Sequence, residues 1–445
     1  MIKVTAISVE NLFGFLNHHV ELKEDGVTFI HGPNGCGKTT FLRLISSFFE
    51  WDISTLHEIN FKKLSFIFDR EVVLNIEKSV ELKKYEEEEV EIPTLTFHLN
   101  TNGIQKEKYI YKRNIKSREI PASQIDEYIP FLHRLGPSVW LDVRTEQRFS
   151  YFEILERFQH RLPFSSSKKR PEWLQEIQEN AKMHLVQTQR LLKVNRPKRV
   201  VRGEEDSVIN VIDVYSKEIK DTISKMLADS AAVSQSKDRS FPQRLLSLKI
   251  DERLSEQKIR EDYKSTEEKI EKLMASGLIE QEKNISLPDK EFEETEKKVL
   301  SLYLQDINEK LSVFDDLLLR IETFLSIVSV KLRNKKFKVS SKDGFSIETT
   351  NGEAQTLLPS QLSSGEQHQI VLFYELIFKT RDNSFFLIDE PEISLHIDWQ
   401  RQFIADISKV ASLGQHTFLI ATHSPQIIAS RRDLAIALDG GILND

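Results

Sequence analysis

Apolar positions along this chain change period several times, and each change predicts a different element. Residues 7–15 and 19–22 read as short strands split at Asn17, and after the Asp25-Gly26 turn signal residues 27–30 form a compact apolar strand. A helical period follows in Phe41, Leu42, Leu44, Ile45 and Phe48. Strand character returns in residues 64–68, 72–76, 94–97 and 109–111, with the acidic run Glu86-Glu87-Glu88-Glu89 as a solvated hairpin tip. From about residue 151 Glu, Lys, Gln and Leu dominate, and two helices stand out, at about 252–275 and, past Ser276-Gly277 and Pro288, about 291–330. In the second, Leu300, Leu304, Ile307, Leu311, Phe314, Leu318, Ile321, Leu325 and Val328 recur at alternating spacings of four and three, the seam of a coiled coil. Ile259, Tyr263, Ile270 and Leu273 offer a weaker matching seam. An antiparallel helical hairpin about 60 Å long is the economical reading at about 1.5 Å per residue; the alternative is a seam that packs into the body. Strands resume at 337–339 and 345–349 across Asp343-Gly344, and a helix begins near Gly365. Phe385-Phe386-Leu387-Ile388 and Phe418-Leu419-Ile420-Ala421 are fully apolar, as in a buried parallel sheet, and residues 434–438 are a last strand.

Composition narrows this picture. With 445 residues, 39% hydrophobic and 29% charged, the chain has ample material for two or three packing units. A net charge of −7 excludes a chain-wide basic field, so any nucleic-acid contact needs a local patch. The one cysteine, Cys36, excludes an internal disulfide and a multi-cysteine zinc site. No apolar run approaches the length of a membrane span, and Met1-Ile2-Lys3-Val4-Thr5 lacks a signal peptide's apolar stretch, so a cytoplasmic protein without membrane contact is expected.

Gly32-Pro33-Asn34-Gly35-Cys36-Gly37-Lys38-Thr39 fits G-x-x-x-x-G-K-[ST] between an apolar strand and an apolar-periodic helix. Glycines let backbone N–H groups curl around phosphate oxygens, and the helix N-terminus adds positive potential. Lys38 is expected to neutralise β/γ-phosphates and Thr39 to offer its hydroxyl to Mg²⁺. Asp389-Glu390 ends an apolar strand, where one carboxylate can reach the metal and the next can polarise water. Leu362-Ser363-Ser364-Gly365-Glu366-Gln367 opens a helix with a hydroxyl and little bulk, a second anion site or an ordinary serine cap.

These strings together resemble the ABC-type ATPase superfamily. Gly32 to Thr39 looks like its Walker A motif, Leu362 to Gln367 its signature with Ser364 and Glu366 substituted, and Phe385 to Glu390 its Walker B. Thr422-His423-Ser424-Pro425 looks like its switch-histidine motif. The resemblance implies an α/β fold, an ABC-type P-loop ATPase head built from 1–150 and 335–445 around a coiled-coil-like helical insertion, 151–334. It implies ATP and Mg²⁺ bound by Gly32, Asn34, Gly35, Gly37, Lys38, Thr39, Thr40 and Asp389, with Glu390 and His423 catalytic. It also implies a homodimer or higher homo-oligomer sandwiching ATP, in which Ser363 and Gly365 face the nucleotide of a second copy. Gln147, after the strand-like Val139-Trp140-Leu141, is the candidate Q-loop residue.

The long stretch between Lys38 and Ser363, and Pro391-Glu392-Ile393-Ser394-Leu395-His396 after Walker B, resemble the SMC, RecF and OLD branch more than transporter subunits. Within it the likeness is to standalone ATPases of bacterial anti-phage defence, AriA of PARIS systems first and PtuA of Septu second. That implies a nucleotide-switched sensor or scaffold controlling a separately encoded TOPRIM- or HNH-type nuclease, with a phage protein or DNA as possible ligand, since the sequence after His423 is too short for a TOPRIM domain. The alternative is a RecF- or SMC-like repair or maintenance ATPase acting directly on DNA; a transporter motor is disfavoured. Basic clusters at Lys168-Lys169-Arg170, at Arg196, Lys198, Arg199 and Arg202, and at Lys331, Arg333, Lys335, Lys336 and Lys338 are either phosphate contacts or ordinary surface. His18-His19 lacks metal-ligand spacing, and Trp140 and Trp399 read as core or interface residues.

Overall fold

A computed structural model describes residues 3–85, 88–112, 125–129, 131–136, 139–142, 147–151, 154, 158, 170–187, 192–195, 207–247, 255–280, 287–352, 355–428 and 431–438. The chain divides into two compact units. One comprises Met1–Val186, Asn383–Glu390 and Gln415–Asp445; the other comprises Gln187–Asp382 and Pro391–Gly414.

The first unit is built from both ends of the chain around one helix, Lys38–Phe49. Its apolar face is covered: Phe41, Leu42, Leu44, Ile45 and Phe48 are all buried, while Thr39 and Arg43 are exposed. On one side lies an antiparallel sheet in the order Leu16–Glu21, Val4–Leu12, Lys63–Phe68, Val72–Tyr85, Glu88–Thr101, Ile104–Lys112. Leu64, Phe66, Leu74, Ile76, Leu95 and Phe97 of that sheet turn to the same core, and Phe66 stands 4.9 Å from Phe48. On the other side lies a sheet in the order Met183–Gln187, Phe385–Asp389, Thr417–Ala421, Val27–His31, Ala435–Ala437. Its last four strands run parallel, and the central ones are buried on both faces, which is why they read as unbroken apolar runs.

Met183–Gln187 departs from the helical reading of its stretch. It follows the helix Glu172–Ala181 through Lys182, held at φ +36, whose carbonyl accepts from Phe385 N at 3.2 Å. Five residues directly after a helix carry too short a period to be told from helix by pattern. A separate antiparallel sheet, Leu132–Gly136, Val139–Asp142 and Gln147–Ser150, closes over its own cluster of Ile125, Ile129, Leu132, Trp140, Phe149, Ile154 and Phe158. Trp140 is core, its Nε1 donating to Asp126 at 2.6 Å.

The second unit corrects the helical reading in two ways. The stretch expected as one long helix is two, Glu294–Ser312 and Asp315–Lys331. At Phe314 the N–H bonds Leu311 O, three residues back, instead of four; the turn tightens, and Asp315 and Asp316 open a new helix N-terminus where acids are favourable. The seam divides with the helix. Leu304 packs with Ile259 and Phe292 against the helix Glu256–Ala275, whereas Phe324 joins Phe337, Phe345, Tyr374 and Phe378 in the body of the unit. A third long helix, Val211–Ser247, buries Ile212, Tyr215, Ile219 and Ile223 at helical spacing, but past Ile223 only Ser230 is buried and Pro242 lies inside it, so the pattern does not reveal its full length. It is tied to Glu294–Ser312 by Arg244, bidentate to Asp306 at 2.6 and 2.7 Å, and by the Lys237–Glu309 pair.

Among the described residues no helix is long and apolar enough to cross a membrane. Lys331, at the end of the seam helix, forms a buried ion pair with Asp406 of the helix Ile397–Gly414. Lys331→Met is expected to destabilise this unit by about 3–5 kcal/mol, because it strands a buried carboxylate. The Lys331→Met/Asp406→Leu double variant should recover most of that loss in denaturant titrations; equal loss in the double variant would show that packing, not charge, holds this joint.

Candidate functional site

The parallel strands of the first unit all end at one sheet edge, and the chemistry collects there. In register, Asp389 pairs with Ala421, Ala421 with Ile30, and Ile30 with Ile436. The residues just past each strand are therefore delivered to neighbouring positions: the glycine loop after His31, Glu390 after Asp389, and Thr422-His423 after Ala421. Backbone bonds lock the arrangement. Glu390 N donates to Ala421 O at 2.9 Å, Thr422 N to Ile30 O at 3.1 Å and Leu438 N to His31 O at 2.7 Å.

The loop 32–37 turns back on itself before the helix. Gly35 and Gly37 adopt φ +85 and +86, a region costly for any side chain, and a Cβ on Gly37 would stand 2.9 Å from Leu12 Cδ2. Lys38 is 5% exposed, and its ammonium donates to the carbonyls of Gly32 and Pro33 at 3.0 and 3.1 Å, folded over its own loop. Asn34, Gly35 and Thr39 are exposed, and Gly32 and Thr40 half-buried. The Lys38–Phe49 helix has no side-chain cap and no acid in its first turn, so its leading N–H groups are offered to the loop's concave side.

Glu390 holds a left-handed backbone, φ +46, strained for a non-glycine residue and a recurrent mark of working sites. Its carboxylate lies 3.6 Å from His423 Nε2. Thr422 Oγ1 accepts from Ser424 N at 3.0 Å, a local turn that carries His423 outward from the buried strand. Asp389, half-buried, and the hydroxyl of Thr39 are hard oxygen donors of the kind Mg²⁺ takes, and with glycine amides beside them they fit a metal–triphosphate. Among the described residues no cluster of three or more His, Cys, Asp or Glu side chains is arranged to hold an ion alone. A hard cation here would arrive with phosphate oxygens.

In the second unit the helix Ser364–Phe378 begins at Ser363 with a reciprocal capping box to Glu366. Ser363 and Ser364 are exposed, and Gly365 lies beneath Trp399, whose ring a Cβ would meet at 3.4 Å. Gln147 opens a strand of the separate three-stranded sheet, paired with Asp142, and not a loop; its side chain lies outside the described residues.

Two contributors escape the motif search. His18, buried in the strand Leu16–Glu21, donates through Nε2 to Cys36 O at 2.8 Å and so braces the glycine loop from below. Phe13, at φ +56 and 43% exposed, presents its ring edge beside Gly37. Neither belongs to a spacing pattern; only the strand pairing puts them there. The basic cluster at 331–338 meets carboxylates: Lys331 with Asp406, Arg333 with Asp398, Lys335 with Glu366 and Lys338 with Glu348. Arg170 stacks on Trp51, while Lys168, Lys169, Arg196, Lys198, Arg199 and Arg202 lie outside the described residues.

Residues 2–428 match the family described as an AAA ATPase domain. No curated protein matches the sequence. Among solved structures the chain is similar to the Smc head domain with an extended coiled coil, bound to the C-terminal domain of ScpA, from Pyrococcus furiosus, at 14% identity over 96% of this chain and 92% of that one, TM-score 0.33. It is also similar to an SmcHead bound to the C-winged helix domain of ScpA, at 11% identity, 96% and 91% coverage and TM-score 0.33. An SMC head domain from Thermotoga maritima matches at 11% identity, 97% and 92% coverage and TM-score 0.29.

Burial pushes the His18 imidazole below its ordinary pKa, outweighing its bonds to Cys36 and Asn17. The unfolded chain thus binds the proton more readily, so this site's stabilisation is complete above about pH 6.5 and falls on acidification towards the folded value. His18→Gln, which keeps a donor for Cys36 O, is expected to flatten that part of the melting-temperature profile between about pH 8 and about pH 5.5; an unchanged slope would remove His18 from the account.

Proposed function

Because the chain belongs to the AAA ATPase domain family, we propose that it binds ATP with Mg²⁺, hydrolyses it, and uses the nucleotide to engage a second copy of itself. The observation that carries this reading is the convergence of the glycine loop, Asp389, Glu390 and His423 at one sheet edge, in register and locked by backbone bonds. In this reading Lys38 turns from the carbonyls of Gly32 and Pro33 to the β/γ-phosphates, and the amides of the loop and the uncapped helix cradle them. Thr39 and Asp389 would hold Mg²⁺, which supplies charge neutralisation at the phosphates. Glu390 orients and polarises the attacking water, and His423 beside it completes the γ-phosphate side. Ser363 and Gly365, as in an ABC-type signature, would face the nucleotide held by the other copy.

What the switch controls is inferred from the motif strings alone: a separately encoded TOPRIM- or HNH-type nuclease in anti-phage defence. The competing reading has the protein act on DNA itself, as RecF- or SMC-like ATPases do. The buried pair of Lys331 and the half-buried pair of Lys335 withhold those two cations from a DNA phosphate, which weighs against the second at this patch. Co-purification with the product of a neighbouring nuclease gene would support the first, and DNA-stimulated turnover with a steep salt dependence the second.

Lys38→Ala is expected to abolish ATP binding. Glu390→Gln should keep binding, lower kcat by at least about a hundredfold and accumulate ATP-bound dimers on size-exclusion chromatography with light scattering. Undiminished turnover in purified Glu390→Gln protein would overturn the role given to that carboxylate.

A further inference from the structure

The signature hydroxyl is already occupied. Ser363 Oγ donates to Glu366 Oε2 at 2.8 Å, and Ser363 N donates to the same oxygen at 3.0 Å. Glu366 N reaches back to Ser363 Oγ at 3.4 Å. A serine hydroxyl has one proton. While Glu366 holds it, only oxygen lone pairs face outward, and a phosphate oxygen brought against them meets acceptor with acceptor. A carboxylate at this spot, 7% exposed, also repels an approaching triphosphate. Both obstacles converge on Glu366, and one cation answers them. Lys335 Nζ, from the first residue of the strand Lys335–Ser340, lies 2.6 and 2.9 Å from the two carboxylate oxygens.

We infer that Lys335 is a positioning residue for the signature: by neutralising Glu366 it allows the Ser363 hydroxyl to exchange the carboxylate for a phosphate oxygen on a second copy's nucleotide. The inference rests on the two-copy reading proposed above. When Ser363 rotates outward, Glu366 keeps Lys335 and the Ser363 amide as donors, so the buried charge is never stranded. Burial pushes the Glu366 carboxyl up in pKa, and the donors Lys335 and Ser363 more than reverse this, holding it ionised and below its ordinary value. Without Lys335 an ionised Glu366 would hold the serine proton more firmly and present an uncompensated negative charge to the incoming nucleotide. A neutral glutamine at 366 needs no counter-ion, and its amide can donate to Ser363 Oγ, which frees the serine proton.

The opposed signs make the test. In full-length Glu390→Gln protein with Mg²⁺ and ATP, Lys335→Gln is expected to weaken dimerisation at least about tenfold by sedimentation. ATP binding to the monomer, read with a fluorescent ATP analogue below the dimerisation range, should be unchanged. Adding Glu366→Gln to Lys335→Gln should restore dimerisation, and Lys335→Arg should retain it. A purely structural pair also predicts recovery in the double variant, as for Lys331 and Asp406, so Glu366→Gln alone discriminates: a structural role predicts dimers weaker than the parent's, the inference dimers at least as tight. Parent-like dimerisation by Lys335→Gln, or no rescue by Glu366→Gln, overturns the inference alone. If the parent itself forms no ATP-dependent dimers, the two-copy reading falls and this inference with it. Should Lys335→Gln fail to fold, Glu366→Gln decides by itself: dimers at least as tight as the parent's support the inference, and weaker ones overturn it.

Discussion

A helix enclosed between two sheets must still satisfy the N–H groups of its first turn. Lys38–Phe49 is such a helix, and the chain gives it neither a capping side chain nor an acid at its start. Those amides and the helix dipole are therefore left to water or to an anion from outside. Much of the first unit can be read as an answer to that demand. The parallel sheet ends level with the helix start, the left-handed glycines curl the preceding loop, His18 braces it, and Lys38 waits on the loop's own carbonyls.

The second unit treats the same physics in the opposite way. Its helix Ser364–Phe378 starts with a complete reciprocal cap, backed by a lysine. An open helix start binds an anion unaided; a closed one must first give up an internal bond. One helix start in this chain is thus open, and the other is closed on itself. The strained backbone of Glu390 belongs to the first of these, where rigidity at the sheet edge overrides the cost of a positive φ.

How much of this was legible depended on whether a residue's role is local. The glycine loop, the apolar strand ending in Asp389-Glu390 and the turn at His423 are contiguous strings whose spacing states the chemistry, and each lies where its string implied. The antiparallel strands showed through the alternation of Leu64, Phe66, Leu74 and Ile76. The seam from Leu300 to Val328 was legible as periodicity, but its interruption was not, because Phe314 suits either a continuous seam or a tightened turn. The first half of Val211–Ser247 carries a short apolar period, Ile212, Tyr215, Ile219 and Ile223, but its second half is tied through Arg244, Lys237 and Ser230, polar residues without one, so its full length was not legible. His18 and Lys335 were beyond any reading of neighbours along the chain: one acts across a strand pair on Cys36, the other across a strand and a helix on Glu366.

The run from Lys331 to Lys338 shows why charge counted along a sequence misleads. Five cations within eight residues look like a stripe for phosphate. Four of them meet carboxylates within the second unit, and their distribution has a mechanical consequence. Lys331 ends the seam helix and holds Ile397–Gly414, the helix that follows the strand Phe385–Asp389 in sequence. Lys335, four residues later, holds the first turn of Ser364–Phe378. A displacement of the Asp315–Lys331 helix along its axis therefore pulls on two ionic joints at once, one buried and one at the signature. Apolar contacts allow a helix to slide; a buried ion pair does not, because separation leaves two charges without solvent. Within this unit the helix Asp315–Lys331 and Ser363 are thus linked through directional bonds, and an axial shift of that helix would change the geometry around Glu366.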